Sequence, residues 1–339
     1  MAQSRRIVVL GSLNTDLVTV TSRIPLAGET FTAISFSTGP GGKGQNQAVG
    51  CARAATNAES GEAPIQVAML GATGTSEHDQ LSDALHATLK AEGIDASGIE
   101  RIPHISSGTA TILVEEQTGQ NRILVVPGAN GKVNASFLQK PIFKSKLWGD
   151  SKNPKASLLV LQLEIPLETV VEAISQAKSH GIPVLLNPAP AISNIPRETL
   201  RDVDHLIVNE TEAQILLSNH DELVGLETTT KDWLHQVFLS FAKIGVKNLV
   251  VTLGEKGACY TSSSDQGYDL VSAIKVPAED IVDTTAAGDT FVGVYAVEVV
   301  KSQGKELNLR KAIEQACKAS ALTVQKAGAI QSIPYGRDY

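Results

Sequence analysis

The 339-residue chain is poor in the features that nucleic-acid-binding and membrane proteins require. Aromatic residues make up only 4% of the chain, too few for a platform on which bases stack. Lysine and arginine total 29 against 36 acidic residues, a formal net charge of −7, and they form no cluster suited to a phosphate backbone. No segment has the ~18 uninterrupted apolar residues of a membrane span. We therefore expect neither nucleic acid nor a membrane as a partner.

Cysteine is also scarce. Cys51, Cys259 and Cys317 are odd in number, far apart in the chain and not at the spacing of metal ligands. This pattern predicts free thiols in a reducing compartment, since disulfide frameworks belong to secreted proteins. We expect the protein to be cytoplasmic, with the nucleus as a second compartment.

The first residues contain a charged and then an apolar segment, the order found in signal peptides. Arg5 and Arg6 precede the apolar run, which ends at Leu13. Asn14 follows it directly, and no small-residue cleavage pattern is present. We therefore interpret the run as a buried strand.

Short runs rich in β-branched residues alternate with helical patterns along most of the chain. Two of the helical patterns have clear end signals, because Pro166 opens one that Gly181 closes and Gly93 closes another. This alternation predicts an α/β fold with a mostly parallel sheet covered on both faces. The runs expected to be strands cover residues 6–13, 66–70, 157–163, 184–187, 205–208 and 248–253.

Residues 17–38 and 108–126 alternate apolar and polar residues at period two, which indicates strands with one wet face. Gly28 supplies a hairpin signal in the first stretch, and residues 118–120 supply one in the second. We expect a small second sheet that serves as a lid or a dimer surface. An antiparallel edge extension of the main sheet is the alternative.

The stretch GPGGKGQNQA places Gly39, Gly41 and Gly44 at the G-x-G-x-x-G spacing of dinucleotide-binding loops. The residues before this stretch alternate in polarity, whereas a dinucleotide-binding loop follows a buried strand. A second interpretation is a loop pressed against a small polar ligand, with Lys43 and Asn46 as donors to hydroxyl groups. A purely structural turn is the third, although glycines are entropically costly unless something approaches closely.

Polar side chains follow several of the predicted strands at their carboxyl ends, where ligands of parallel sheets bind. They are Asn14, Asp16, Glu164 and Asn209. Each could also be a helix cap or a solvated loop residue. Asn209 and Glu212 have the spacing of a capping box, and Glu212 could in addition face Mg²⁺ through water.

The stretch VDTTAAGDTF predicts an anion site at the start of a helix. Ala286, Ala287 and Gly288 form or precede its first turn, where backbone amides lack intrahelical partners and small side chains leave them exposed. Asp289 has two interpretations there. It could stabilise the helix terminus, or it could accept the proton of an attacking hydroxyl. The adjacent amides favour the general base.

The glycine-rich stretch and the stretch that contains Asp289 belong to a series of motifs that spans nearly the whole chain. In chain order the motifs are GSLNTD, GGKGQNQAVG, GAN, LQLE, NPAPA, NETEA, TLGEKG, DTTAAGDTF and KAGAIQSIP. With them the sequence resembles the ribokinase family of carbohydrate kinases. The resemblance implies one domain over residues 1–339, a three-layer α/β/α sandwich with a mostly parallel central sheet, and a β-sheet lid formed by about 14–38 and 105–126.

The resemblance also implies an activity, transfer of the γ-phosphoryl group of ATP to the 5-hydroxyl of D-ribose, with Mg²⁺, a K⁺ activator and a homodimer through the lid sheets. Asp289 would be the base beside an anion hole at Ala286, Ala287 and Gly288. Asn14, Thr15, Asp16, Gly42, Lys43, Gly44, Gln45, Asn46, Glu164 and Asp289 would hold the sugar. The nucleotide site would comprise Asn209, Glu212, Thr252, Leu253, Gly254, Glu255, Lys256, Gly257, Gly288 and Cys317. The monovalent ion would lie among Asp283, Thr285, Thr323, Lys326, Gly328 and Ser332, largely on carbonyls.

Some positions depart from the family pattern. Cys317 stands where His is frequent and Val292 where Asn is frequent, which leaves nucleotide preference open. The connector at 144–156 is longer than usual. Adenosine kinase and fructokinase activities, a non-catalytic sugar or nucleotide sensor and a nicotinamide dehydrogenase are the alternatives.

Overall fold

The computed structural model describes residues 5–56, 64–117, 120–151, 153–218, 226–263 and 267–339. Its strands are β1 (Arg5–Leu10), β2 (Asn14–Thr21), β3 (Ser35–Gly41), β4 (Ile65–Gly74), β5 (Asp95–Ile102), β6 (Gly108–Glu115), β7 (Asn121–Val126), β8 (Leu158–Leu161), β9 (Val184–Leu186), β10 (His205–Asn209), β11 (Asn248–Thr252), β12 (Ala258–Thr261) and β13 (Tyr268–Val271). Its helices are α1 (Lys43–Ala54), α2 (Ser82–Ala91), α3 (Pro141–Trp148), α4 (Leu167–Ser179), α5 (Arg197–Arg201), α6 (Glu210–Leu216), α7 (Lys231–Ile244), α8 (Ala287–Lys301) and α9 (Leu309–Thr323).

A nine-stranded sheet forms the centre of the molecule, in the order β13-β12-β11-β10-β9-β8-β1-β4-β5. All neighbouring strands between β11 and β5 in this order pair in parallel, and the two pairings at one edge, β11 with β12 and β12 with β13, are antiparallel. Every strand predicted from an apolar run is present. The mostly parallel sheet that the alternation predicts is therefore confirmed.

Helices cover both faces of this sheet because successive strand residues point in opposite directions. Val8 and Leu10 of β1 enter one core with α3, α4, α5, α6 and α7. Ile7 and Val9 enter the other core with α1, α2, α8 and α9. The fold is thus the three-layer α/β/α sandwich.

The helix end signals in the sequence act as expected. Pro166 is the N-cap of α4, and Gly181 lies just beyond its end with a φ of 62°. Gly93, after α2, has a φ of 68°. Both glycines have the left-handed conformation that ends helices and that other residues rarely adopt.

A separate four-stranded sheet has the order β3-β2-β6-β7. It is not an extension of the main sheet, so the edge-extension interpretation is wrong. Its central pair, β2 and β6, is parallel, and the outer pairs are antiparallel. Gly28 has a φ of 82° between β2 and β3, whereas residues 118 and 119 of the second hairpin signal lie outside the described residues. We name this four-stranded unit the small sheet.

The small sheet exposes large apolar side chains. Phe36 of β3 is 64% exposed, and Leu124 and Val126 of β7 are 69% and 59% exposed. Exposed apolar patches of this kind mark interaction surfaces.

All three cysteines of the chain are buried and free. Within the described part of the chain, no helix combines the length and apolarity needed to cross a bilayer.

The connector at 144–156 makes contacts that hold neighbouring elements together. Asn153 accepts a hydrogen bond from Arg6 at 3.0 Å, and the ring of Trp148 stacks on that of His180 with a centroid distance of 4.0 Å. The connector thereby ties α3 and α4 to the start of β1. Lys152, in the middle of it, lies outside the described residues.

Candidate active site

Polar side chains gather beyond the carboxyl ends of the parallel strands. Ser12 and Asn14 follow β1, Gln162 and Glu164 follow β8, and Asn187 follows β9. Asn209 and Thr252 end the next two strands, β10 and β11. Because the strands are parallel and adjacent, these residues share one edge of the sheet.

Asp289 lies in the first turn of α8 and is only 6% exposed. Its Oδ2 accepts a hydrogen bond from Asn46 Nδ2 at 2.9 Å, and its Oδ1 accepts one from Gln47 Nε2 at 2.9 Å. Each carboxylate oxygen therefore has one fixed donor. A further lone pair on each oxygen remains for a substrate hydroxyl.

The N-terminus of α8 presents backbone amides beside this carboxylate. Ala286, the N-cap, has a φ of 61°, a left-handed conformation that is uncommon for alanine and turns the chain sharply into the helix. The Ala287 amide donates to the Thr284 carbonyl at 3.3 Å, whereas the amides of Gly288 and Asp289 lie within the helix end that lacks intrahelical acceptors. A Cβ on Gly288 would meet no atom within 4 Å, so the space beside the turn is open.

The glycine-rich stretch joins β3 of the small sheet to α1, not a buried parallel strand to a helix. The context of a dinucleotide-binding loop is therefore absent. Gly42 is the N-cap of α1 with a φ of 89°. The close neighbours of these glycines belong to the chain itself: a Cβ on Gly41 would lie 2.1 Å from the Asp16 carboxylate, and one on Gly44 would lie 2.5 Å from the Ser12 amide. The glycines thus let the loop pack on β1 and β2.

Glu164 holds this loop in place. Its Oε2 accepts hydrogen bonds from the Ser12 hydroxyl at 2.5 Å and from the Lys43 backbone amide at 2.9 Å. Ser12 Oγ in turn accepts from the Gly44 amide at 3.2 Å. The carboxylate that we predicted to hold the sugar therefore also fixes the start of α1.

Asn14 is oriented by a residue that the sequence patterns did not assign. Asn130, which is 1% exposed, donates to Asn14 Oδ1 at 2.7 Å and is held by the backbone of Leu13 on both its oxygen and its nitrogen. Nearby, Thr15 Oγ1 and Asn46 Oδ1 are buried without a hydrogen-bond partner. Buried polar atoms of this kind are costly unless a ligand or water satisfies them.

The charges of the site are balanced around Lys43. Burial lowers the pKa of Lys43, but attraction by Asp289, Glu164 and Glu212 outweighs it, so the net pKa is raised and the ammonium stays protonated. Burial, together with repulsion by Glu164 and Asp289, raises the pKa of Asp16 to about 7. A neutral hydroxyl-rich ligand bridging these groups would meet both strong acceptors and a strong donor.

Two predicted residues have other surroundings. The side chain of Gln45 is fully buried and its Nε2 donates to the Leu85 carbonyl of α2 at 3.0 Å, while its Oε1 has no hydrogen-bond partner, so a sugar contact through this side chain stays a prediction. Cys317 is 8% exposed in α9, and burial, with repulsion by Glu314, raises its pKa to about 11. Its contacts belong to the core between α8 and α9.

The residues predicted for the nucleotide lie along the ends of β10 and β11. Asn209 and Glu212 form the capping box of α6, with hydrogen bonds of 2.8 and 2.9 Å between them. Burial raises the pKa of Glu212 in spite of its hydrogen bond from Asn209. Gly254, with a φ of 54°, has open space where a Cβ would lie, and the turn Gly254–Lys256 that it begins is accessible.

The residues predicted for a monovalent ion belong to two loops that Asp283 joins. Its Oδ1 accepts from the Thr285 amide and its Oδ2 from the Gly328 amide, both at 2.9 Å. The hydroxyls of Thr323 and Ser332 donate to backbone carbonyls. These side chains are therefore engaged, and backbone carbonyls would be the donors to an ion.

No group of three or more His, Cys, Asp or Glu side chains able to hold a metal occurs among the residues that the structure describes. A water-mediated Mg²⁺ at Glu212 stays a prediction.

Five residues of the site were missed by the sequence patterns, although each lies within one of the motifs of the sequence. They are Ser12, Gln47, Asn130, Gln162 and Asn187. Ser12, Gln47 and Asn130 contact a predicted site residue through a side-chain hydrogen bond, and Gln162 and Asn187 contact Gln47. A buried polar residue inside a motif would have been the only signal, because the partners are far apart in the chain.

A family model for pfkB family carbohydrate kinases matches residues 4–335. The chain is 42% identical to ribokinase from Schizosaccharomyces pombe over 331 residues, 97% of this chain and 94% of that protein. It is 36% identical to deoxyribokinase from Salmonella typhi over 307 residues, 91% of this chain and 90% of that protein. The solved structure of Arabidopsis thaliana ribokinase complexed with ribose and ATP superposes with a TM-score of 0.77 at 29% identity, covering 99% of this chain and 97% of that one. The buried aspartate beside the open amides of a helix, together with these similarities, means that the chain belongs to the pfkB family of carbohydrate kinases.

Proposed function

We propose that this protein transfers the γ-phosphoryl group of ATP to the 5-hydroxyl of D-ribose, giving D-ribose 5-phosphate and ADP. The observation that carries the proposal is the pairing of the Asp289 carboxylate with the open helix end at Gly288. One group accepts a proton and the other holds an anion, and phosphoryl transfer to an alcohol needs both. The names of the relatives, ribokinases from several organisms, support ribose as the sugar.

In this reaction Asp289 accepts the proton of the 5-hydroxyl as the oxygen attacks phosphorus. The transition state of phosphoryl transfer is loose, so positioning and charge stabilisation supply most of the rate enhancement. The amides of Gly288 and Asp289 would bind the oxygens of the migrating phosphoryl group. Their dipoles already point at the site, so no reorganisation is needed during the reaction.

The sugar lies among Asn14, Asp16, Lys43, Asn46 and Glu164. Lys43 and Asn46 in the first turn of α1 suit a small polyol, whereas a nucleoside would require an apolar wall for its base. The unpaired Oδ1 of Asn46 and Oγ1 of Thr15 would receive sugar hydroxyls. Binding of the sugar would then satisfy atoms that the free protein leaves without partners.

ATP would lie along the ends of β10 and β11, with its phosphates near Asn209 and the turn Gly254–Lys256. Glu212 would hold Mg²⁺ through water, and the ion when bound supplies charge neutralisation for the phosphates. Carbonyls of the loops that Asp283 joins would hold K⁺, and the ion when bound would supply a positive charge near the start of α8.

We also propose that the enzyme is located in the cytosol or nucleus, where its three buried thiols stay reduced.

The small sheet would close over the sugar and pair with that of a second subunit, which covers its apolar face. Phe36, Leu124 and Val126 are the exposed side chains that such a contact would bury. Sedimentation would report a dimer for the natural protein and a monomer for Leu124→Lys. A monomeric natural protein would exclude this assembly.

A second substrate, 2-deoxy-D-ribose, is favoured by the similarity to deoxyribokinase. ADP release should therefore be measured with D-ribose, 2-deoxy-D-ribose, adenosine and D-fructose, each with and without K⁺. We expect D-ribose to give the highest kcat/KM, and phosphorus NMR to place the new phosphate on the 5-oxygen. ATP consumption that needs no sugar would contradict a sugar kinase and favour a sensor.

A further inference from the structure

Gln47 lies at the centre of a buried hydrogen-bond network that ends on Asp289. Its Nε2 donates to Asp289 Oδ1 at 2.9 Å and to Asn187 Oδ1 at 3.1 Å, while its Oε1 accepts from Gln162 Nε2 at 2.6 Å. Gln47 and Gln162 are both fully buried, and Asn187 is 8% exposed. Both hydrogens of the Gln47 amide nitrogen are thereby used inside the protein.

The direction of these hydrogen bonds follows from chemistry. An ionised carboxylate only accepts, so the nitrogen of Gln47 must face Asp289 and its oxygen must face the donor of Gln162. Asn187 is oriented in turn, because its Nδ2 donates to the Ile207 carbonyl at 3.1 Å. One arrangement of the side-chain amides satisfies all of these contacts.

The network connects the base to the main sheet. Gln162 follows β8, Asn187 follows β9 and Ile207 lies in β10, whereas Asp289 belongs to α8. The carboxylate is therefore held relative to three strands of the sheet, not only by the helix that carries it. The same sheet edge carries Glu164 and Asn209, on the sugar and nucleotide sides.

Asn46 and Gln47 hold the two oxygens of Asp289 from adjacent positions of α1. Two donors on two oxygens fix the plane of the carboxylate, whereas one donor would allow it to rotate. Their roles differ, because Asn46 keeps an unpaired oxygen for the sugar and Gln47 has none left. Gln47 is also fully buried, and its nitrogen and its oxygen both already have partners inside the protein.

We propose that Gln47 is a positioning residue for phosphoryl transfer. It orients the Asp289 carboxylate toward the acceptor hydroxyl and fixes the position of that carboxylate relative to the main sheet. This inference rests on the proposed function in that Asp289 must be the base. It adds a residue that acts on turnover through Asp289 and not through sugar binding.

Gln47→Met removes the amide and keeps an unbranched apolar side chain of similar length. Asp289 then loses one of two donors and its plane is no longer fixed, and misplacement of a reacting group by about 1 Å costs about a hundredfold in rate. We expect kcat to fall roughly tenfold to a hundredfold, with KM for ribose changed less than about twofold. Gln47→Glu keeps the shape but lacks the donor, and the same direction is expected.

The pH dependence provides a signature that a purely structural role would not give. Loss of the donor makes the ionised carboxylate less stable, so the acid limb of the kcat profile should move to higher pH. It should move further in Gln47→Glu, where two carboxylates face each other. The other charged groups that interact with Asp289, which are Asp16, Lys43 and Glu212, are unchanged in both variants.

A double-mutant cycle with Asp289→Asn tests whether Gln47 acts through the base. If it does, Gln47→Met should lower kcat in the natural background and change it less than about twofold in the Asp289→Asn background. Equal losses in both backgrounds, or a normal kcat in the single variant, would overturn the proposal. Gln45→Met is a stability control, since Gln45 is equally buried and bonds Leu85 instead.

Failure of this inference is distinguishable from failure of the proposed function. Natural protein without ribose-dependent turnover contradicts the function, and the cycle then runs with whichever sugar of the panel is phosphorylated. Carbon NMR of labelled aspartate, with the Asp289 signal assigned by its loss in Asp289→Asn, needs no substrate. The carboxyl signal of Asp289 should shift in Gln47→Met because its Oδ1 loses a donor, and an unshifted signal would overturn the role of Gln47.

Discussion

Gly50 of α1 and Gly293 of α8 are in backbone contact, and the Gly293 position has no room for a larger residue. A Cβ on Gly293 would lie 2.7 Å from the carbonyl carbon of Gly50. This contact brings the helix that begins in the glycine-rich loop against the helix that begins at the anion site. Asn46 and Gln47 reach Asp289 because the two helices are this close.

Gly293→Ala should therefore reduce both stability and turnover. The methyl group meets backbone, which cannot move without separating α1 from α8, and overpacking of this kind costs about 1–3 kcal/mol. Thermal unfolding and kcat are the measurements. Gly50→Ala is the matched control, since its Cβ would lie 3.4 Å from its nearest neighbours and should cost less. Equal effects of the two variants would contradict the packing argument.

Asp289→Asn should lower kcat at least about a hundredfold, because the amide cannot accept the hydroxyl proton. The affinity for ribose should stay nearly the same, since the side chain keeps its size and its remaining oxygen still accepts from Asn46 or Gln47. Steady-state kinetics and ribose titration separate the two effects. A large loss of sugar affinity with normal turnover at saturation would reject the base.

Gly288→Val should abolish most turnover without unfolding the protein. No atom lies within 4 Å of the Cβ position, so the side chain would extend into the space above the α8 amides. An unchanged thermal midpoint combined with a loss of about 2.7–4 kcal/mol of transition-state stabilisation is expected, the cost of losing one oxyanion donor. Normal activity would contradict the anion site.

Asp16→Asn should change how stability depends on pH. The pKa of Asp16 is raised to about 7, so the folded protein binds this proton more tightly than the unfolded chain does. Stability from this group is complete below the unfolded pKa and is lost as pH rises through about 7. Denaturant unfolding at pH about 5 and about 8 should show the natural protein losing on the order of 2 kcal/mol more than the variant, a value reduced for partial exposure. Parallel pH curves for the two proteins would contradict the raised pKa.

Asp283→Asn should weaken activation by K⁺. The carboxylate accepts from the amides of Thr285 and Gly328, and an asparagine amide nitrogen cannot accept from the second. The two loops would then lose one of their links, so the carbonyls that we assign to the ion would be less well placed. kcat measured against K⁺ concentration, with choline at equal ionic strength as control, tests this. An unchanged activation constant would remove Asp283 from the ion site.

Local features of this protein were readable from the sequence because they depend on neighbouring residues. The buried strands, the ends of α2 and α4 and the first turn of α8 all follow from residue type at close spacing. The capping box of Asn209 and Glu212 spans only three residues and was identified for the same reason. The small sheet was predicted as well, but not the parallel pairing of β2 with β6, because alternation reveals a strand without its partner.

The sequence did not reveal which partner each glutamine of α1 contacts. Gln45 and Gln47 are two positions apart in one motif, and nothing local distinguishes them. In the folded chain Gln45 bonds to α2, while Gln47 bonds to Asp289. The glycines of the same stretch were expected to lie against a ligand, which stays a prediction, and the structure adds that Gly41 packs against Asp16 and Gly44 against Ser12.

Composition and short-range pattern alone thus determined an acidic, cysteine-poor α/β protein with a helix end suited to an anion and an aspartate within it. Only the tertiary structure decided which residues hold that aspartate. Its partners Asn46 and Gln47 are 243 and 242 positions away in the chain, and they meet it because the order of the parallel strands and the contact of Gly50 with Gly293 bring α1 to α8. Such contacts depend on how layers pack, and hydrophobic periodicity reports only which face of an element is buried.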